Sequence, residues 1–293
     1  MNYRSLTLQD IEHIRPFFLR MQSKTCDYSI GGMCMWRDFY KMEFAVEGQT
    51  FYSRLYDERG RLFYNLPLSE NIPEVLAAFI RSCREEKAPV RFCTVPEPYL
   101  PLFREICPSA RIEEQPDYGD YLYQAKDLAE LKGKKYNGQR NQIHQFLRNV
   151  SDWSFEEIDA ESLDEITSFF TEHYMTSAGS GRIEAEENAK VLEVLGNYEN
   201  YGMQGGVLRA DGIIVGFSLN EIIGDTLFTH VEKASRDCKG AYQMLVNQTA
   251  KKFAAAEIKY INREEDMGDP GLRTAKLAYH PVAVLKKYIV EVE

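Results

Sequence analysis

The stretch INREEDMGDPGLRTAKLAYHP, Ile261 to Pro281, crowds acids, cations, a tyrosine and a histidine together. Glu264, Glu265 and Asp266 follow an apolar KYIN segment, which places this acid cluster at the carboxyl end of an expected strand, where ligand sites of α/β sheets collect. Asp269-Pro270 reads as a helix start, the acid as cap and the proline in the first turn. Arg273 and Lys276, at i and i+3, then share one face of that helix, with Tyr279 beyond it. Carboxylates, cations and a phenol at this spacing can move a proton, hold a phosphate and steady a developing oxyanion. Helix-end electrostatics explain acids first and cations last, but not Tyr279-His280-Pro281.

A second group lies upstream. Alternation from Ile213 puts Val215, Phe217, Leu219 and Glu221 on one strand face, and a two-residue turn at Gly224-Asp225 sets Glu221 opposite Phe228. Strict alternation then predicts His230 and Glu232 on the same face. Two carboxylates and an imidazole at the end of an apolar stripe are where raised pKa values and general-base work arise. Glu232, Tyr279, His230 and Glu221 are therefore the catalytic candidates. The competing reading leaves both glutamates at a solvated sheet rim and His230 as a satisfied core residue.

The third group is basic. Lys132, Lys134, Lys135, Arg140 and Arg148 fall between Leu131 and Ser151 with no acid among them. A net charge of −10 argues against a general nucleic-acid coat, so only a local patch of this kind could meet phosphates. Tyr136, Ile143 and Leu147 form the stripe of an expected helix, and Arg140, four residues from Tyr136, should be partly buried on it.

The elements that must position these groups are legible as two halves, residues 1–126 and 127–293. In the first, a helix from Thr7 to Met21 precedes an antiparallel meander of FYKMEFAV, TFYSRLY and RLFYNLPL, a helix after Pro73, and strands VRFCTV, ARIEEQ and DYLYQA. In the second, the basic helix leads to strand WSFEEIDA and a helix opened by a capping box Ser162-Leu-Asp-Glu165. Hairpin strands turn at Asp211-Gly212 and Gly224-Asp225. A long helix carrying Tyr242, Leu245, Val246, Thr249 and Phe253, strand KYIN, a short helix and strand VLKKYIVEV complete it.

Helices, three antiparallel strands, a glycine turn, a long helix and a strand follow in the order of the GNAT acyltransferase fold, and the first half carries a rougher version of that order. The opening stretch, with THVEKA, GAYQMLVNQ and KGKKYNGQRNQIHQF, resembles a bacterial family grouped with the C-terminal catalytic domain of phosphatidylglycerol lysyltransferase, over nearly the whole chain. The resemblance implies an α/β fold of tandem GNAT-like domains, the second carrying the active site. It also implies kinship with Fem-type aminoacyl transferases, which pass an aminoacyl group from tRNA to an amine or hydroxyl. Aminoacyl-tRNA is then the expected donor, and the acceptor a small molecule, peptide or lipid. The membrane-embedded half of the lysyltransferases has no counterpart in this sequence.

GNAT enzymes cradle the pyrophosphate of coenzyme A in a loop Arg/Gln-x-x-Gly-x-Gly/Ala at a helix N-terminus. Here Arg236 fits the first position, Lys239 stands where the first glycine belongs, and Gly240-Ala241 follow. Acyl-CoA as donor is thus the alternative, and a non-catalytic binding module the third reading. The donor- or phosphate-binding candidates are Lys132, Lys135, Arg140, Arg236, Lys239, Gly240, Arg273 and Lys276.

Six cysteines without a C-x-x-C pair or a histidine pairing suggest reduced, buried thiols and no metal site. No apolar run has the length of a signal-peptide core or a membrane helix, so a cytoplasmic protein is expected.

Overall fold

The computed structural model describes residues 1–86, 90–175, 182–254 and 257–292. The chain forms two compact units: Met1–Tyr121 with Glu265–Arg273 and Val284–Glu293, and Leu122–Glu264 with Thr274–Ala283. The strands in chain order are β1 (Arg4–Ser5), β2 (Glu43–Glu47), β3 (Thr50–Tyr56), β4 (Leu62–Tyr64), β5 (Val90–Pro96), β6 (Arg111–Glu114), β7 (Asp120–Gln124), β8 (Trp153–Glu157), β9 (Gln204–Ala210), β10 (Ile213–Ile223), β11 (Thr226–Ala234), β12 (Tyr260–Asn262), β13 (Ala283–Leu285) and β14 (Lys287–Val292).

In the first unit the sheet order is β1-β2-β3-β4-β5-β14-β6. The meander pairs Glu47 with Thr50 and Tyr56 with Leu62. The helix Ile72–Glu85 carries the chain from β4 to a parallel β5. Asn71 caps it by accepting from the Glu74 amide, Pro73 occupies its first turn, and Leu76, Phe79, Ile80 and Cys83 fill its buried face, as their spacing predicts. The terminal strand departs from expectation. Instead of completing the second half, β14 lies between β5 and β6, pairing Val290 with Phe92 and with Ile112. Buried on both flanks, Val290 is fully shielded, which a lone edge strand could not achieve.

The sheet of the second unit runs β13-β7-β12-β11-β10-β9-β8. Its two hairpins turn where the sequence requires positive φ, at Asp211-Gly212 and at Gly224. The helix Ala160–Tyr174 starts one turn earlier than expected. Asp159 is its cap, accepting from the Ser162 amide, while Ser162 answers to the Asp159 amide, so the capping box is Asp159 and Ser162. Ile166, Phe169 and Phe170 are buried, and Phe169 and Phe170 pack edge-on against Phe217 of β10. On the opposite face lies the long helix Ala241–Phe253, whose Thr249 hydroxyl meets that of Ser218. That helix crosses from β11 to a parallel β12, and the pairing is short: Thr226, Leu227 and Phe228 against Tyr260, Ile261 and Asn262. Beyond Phe228 the two strands share no ladder, so their carboxyl ends are left to side chains.

Candidate functional site

The hairpin sets Glu221 opposite Phe228, as the turn predicts. One step later the ladder slips. Asn220 pairs with Thr229 but Leu219 pairs with Val231, so His230 is an extra residue in β11. A bulge of this kind changes the face of everything after it. His230 stays with Glu221, its Nε2 3.2 Å from that carboxylate, and its Nδ1 is 2.7 Å from Glu264. Glu232, expected on the same face, instead pairs opposite Ser218 and turns to the side of the long helix.

His230 is fully buried between its two glutamates. Burial alone would lower its pKa, but the hydrogen bonds and charges of Glu221 and Glu264 prevail and raise it from 6.5 to about 10. The imidazole is therefore held as imidazolium at neutral pH and is poorly suited to be a base. Because the folded value lies above the unfolded one, His230 contributes stability that is complete below about 6.5 and is lost as pH rises through about 10. Denaturant unfolding at pH 7 and pH 9.5 should show this loss in the parent and a smaller one in His230→Gln. Identical pH dependence in the two proteins would mean that another group titrates.

Glu232 belongs to a second buried group that the bulge creates. Arg263, the first residue after β12, sends Nε and Nη2 to Glu232 Oε2 at 2.9 and 2.6 Å. The Tyr242 hydroxyl donates to the same oxygen at 3.3 Å and accepts from Arg263 Nη2. The guanidinium carbon stands 4.8 Å from the Tyr279 ring centroid and 5.6 Å from those of Tyr123 and Tyr242, so three aromatic rings enclose it. The side chains of Arg263 and Glu232 are 2% and 10% exposed. Burial works against the arginine's charge, and Glu232 more than offsets it, keeping Arg263 charged. Tyr279 is buried, which pushes its phenol up and keeps it neutral. Its backbone is pinned: Tyr136 donates to the Tyr279 carbonyl at 3.2 Å and Gln139 to that of Ala278 at 2.8 Å. Lys276 donates to the backbone carbonyl of Arg263.

Of the residues in this group, Glu232 and Tyr279 are among the candidates the sequence offers, and Arg263 and Tyr242 are not. In the sequence Tyr242 is one residue of the apolar stripe of the long helix. Arg263 carries a signal in the sequence, a charge at the carboxyl end of a central strand, but the three acids that follow it carry the same signal.

Those neighbours do not form one cluster. Glu264, at φ 58°, turns to His230. In the first unit, Glu265 lies 3.5 Å from Lys287, and Asp266 pairs with Arg273 and accepts from Tyr121. Arg273 lowers the Asp266 pKa to about 2 and is itself shared with Asp117. Arg273 and Lys276 are thus engaged with separate partners, one carboxylates and the other a backbone oxygen.

The Lys287 site was not foreseen. Its ammonium, fully buried, sits 2.6 Å from Asp27, 2.7 Å from Asp120 and 3.4 Å from the Cys26 sulfur. Cys26, Asp120 and Glu265 bring possible cation ligands within 4.8 Å of one another, and the lysine already supplies a cation to them.

The basic stretch is less free than its composition suggests. Lys132 pairs with Glu130 and Lys135 with Asp127, both at 2.9 Å and both acids just before the stretch. Arg140 is half-buried, but it donates to the carbonyls of Leu131 and Gly133, closing the preceding helix rather than pointing outward. Leu147, expected on the buried stripe, is exposed, and Phe146 is buried in its place. In the turn before the long helix, Arg236 and Lys239 are exposed. Gly240, at φ 86°, has a packing duty: a Cβ there would lie 2.1 Å from the Gln142 carbonyl oxygen.

Two mixed sheets, each with one helical crossover into a parallel pair, make this a tandem GNAT-like fold. Residues 18–291 match the family described as phosphatidylglycerol lysyltransferase, C-terminal, and the chain belongs to that family. A conserved protein of unknown function from Bacteroides thetaiotaomicron is 30% identical over the full length of both chains, with a TM-score of 0.89. The structure of L-PGS from Bacillus licheniformis shares the fold at 16% identity over 97% of this chain and 91% of that one, with a TM-score of 0.64. FemX does so at 12% identity over 99% and 97%, with a TM-score of 0.58. An uncharacterised protein of Mycoplasmoides gallisepticum is 21% identical over 59% of this chain and 56% of its own length, so the match spans little more than half of that relative. Among the described residues no helix is long and apolar enough to cross a membrane.

Proposed function

We propose that this chain transfers an aminoacyl group from aminoacyl-tRNA to an amine or hydroxyl acceptor, at the Arg263 group of the second unit. The observation that carries this is the buried Glu232–Arg263–Tyr242–Tyr279 assembly at the point where β11 and β12 part, in a chain of the lysyltransferase family. Glu232 positions the guanidinium, and the three rings around it exclude water, so hydrogen bonds from Arg263 act in a low-dielectric setting. The acyl-CoA alternative gains no support from the Arg236–Gly240 turn, where Lys239 replaces a glycine and Gly240 is needed for packing. The Tyr174 hydroxyl also takes both the amide and the carbonyl of Ala234, where an extended ligand could otherwise pair with the end of β11.

The test offers bulk tRNA charged with labelled amino acids together with lipid, peptide and small-amine acceptors. Label should move from tRNA to one acceptor class. No transfer from any charged tRNA, with turnover of acetyl-coenzyme A instead, would overturn the reading.

The basic stretch is the proposed tRNA contact. Exposed ion pairs such as Lys132–Glu130 are worth only ~0–1 kcal/mol, so phosphates can replace the acids. Changing Lys132, Lys134 and Lys135 together to alanine should weaken tRNA binding and flatten its log–log salt slope by about 2–3, from ~0.7–0.9 for each contact. Arg140→Ala should instead lower stability, because its partners are carbonyls of the protein. An unchanged slope in the triple variant would remove this surface from the proposal.

A further inference from the structure

The hydrogen bonds of the Arg263 assembly are made on one edge of the guanidinium and unmade on the other. Glu232 uses Nε and Nη2 of Arg263, and Tyr242 shares the same edge. Arg263 Nη1 is buried with no hydrogen-bond partner, and so is the Tyr279 hydroxyl. Leaving a buried donor unmade costs about 1–3 kcal/mol, so two on side chains whose guanidinium carbon and ring centroid stand 4.8 Å apart need an explanation. Arg263 Nη1 can only donate and the Tyr279 hydroxyl can donate as well as accept, so one acceptor oxygen would satisfy both.

Charge narrows the class of that oxygen. The Arg263 charge is already matched by Glu232 at 2.6 Å, so the pair is neutral as a unit. A phosphate or carboxylate entering here would bring an unmatched buried charge, which is strongly unfavourable. A carbonyl brings only a dipole. It gains two hydrogen bonds at once, and they strengthen as its oxygen acquires charge during attack. Arg263 Nη1 would be poorly placed for this without Glu232 fixing the opposite edge of the guanidinium.

We infer that Arg263 Nη1 and the Tyr279 hydroxyl receive the carbonyl oxygen of the acyl donor and form the oxyanion site of the transfer, an inference that rests on the function proposed above. The acceptor's lone pair adds to the ester carbon, and the C=O π pair moves onto the oxygen held by the two donors. When that pair returns, the bond from the acyl carbon to the ribose oxygen breaks. The ribose hydroxyl leaves with the proton that the acceptor gives up.

The test uses 3′-alanylamido-3′-deoxyadenosine with a ¹³C-labelled carbonyl, a non-hydrolysable ester analogue, and reads the bound carbonyl stretch by difference infrared spectroscopy. The parent should lower the stretching frequency relative to water, and Tyr279→Phe should lose part of that shift. Tyr279→Phe should also keep or raise the parental Tm, because the lost hydroxyl has no protein partner. Its kcat for transfer should fall ~10²–10³-fold at unchanged KM, as when one oxyanion donor is removed. A carbonyl stretch identical in parent and Tyr279→Phe, or a lowered Tm in the variant, would overturn the assignment. A shifted carbonyl in a protein that transfers nothing from any charged tRNA would leave the carbonyl site standing and remove the aminoacyl-transfer reading instead.

Discussion

Lys287→Met is expected to destabilise the protein by about 3–5 kcal/mol at neutral pH, the range for removing one partner of a buried ion group. Lys287 is fully buried, with Asp27 and Asp120 oxygens at 2.6 and 2.7 Å and Glu265 at 3.5 Å. Methionine fills similar volume, so the loss is one of charge rather than packing. Without the ammonium, three carboxylates, that of Asp120 fully buried, face one another and must take up protons or separate. Even in the parent, burial pushes the Asp27 pKa up from 3.8 to about 6, against the pull of Lys287. Carboxylates raised in the folded state bind protons there that the unfolded chain has lost, so stability falls as pH rises from about 4 through the folded value. The variant should therefore be closest to the parent near pH 4 to 5 and furthest from it above pH 7. Denaturant midpoints across that range provide the check. A variant as stable as the parent at pH 8 would mean that the carboxylates are compensated by something other than Lys287.

This site shows where the sequence stops speaking. Asp27, Asp120, Glu265 and Lys287 are scattered along the chain, and a lysine in KKYIVEV looks like a solvated strand residue. Only the insertion of β14 between β5 and β6 buries it, and that pairing joins residues far apart in the sequence. Local features were legible because their causes are local. Positive φ at Asp211-Gly212 and Gly224 fixed the hairpins, and the hairpin turn set Glu221 against Phe228. The bulge at His230 had no such marker: THVEKA contains no glycine, and one extra residue was enough to move Glu232 to the other face. Likewise the absence of acids within the basic stretch was real, but Asp127 and Glu130 just outside it could reach back. Charge windows read from sequence miss a partner that a change of chain direction, here at Leu131 and Gly133, brings alongside.

The largest effect on activity is expected at Arg263. Arg263→Met should abolish aminoacyl transfer to within the background, a loss of at least ~10²–10³-fold in kcat if only the oxyanion contact is counted. It should also destabilise by about 3–5 kcal/mol, since Glu232, 10% exposed, would be left buried without its cation. These two consequences can be separated. Arg263→Met with Glu232→Leu removes both charges, and replacing a whole buried pair by apolar residues is often neutral. That double variant should regain most of the stability while remaining inactive. Arg263→Lys tests geometry against charge. An ammonium can neutralise Glu232, but it lacks the planar fork that spends two nitrogens on the carboxylate and aims the third elsewhere. Arg263→Lys should accordingly fold with nearly parental stability and still transfer at least ~10²-fold more slowly. Parental turnover in Arg263→Lys would show that the residue acts only as a counter-ion for Glu232. Full activity in the double variant would place the chemistry elsewhere, and of the remaining candidates Glu264, held by His230 and 23% exposed, would be the next to replace.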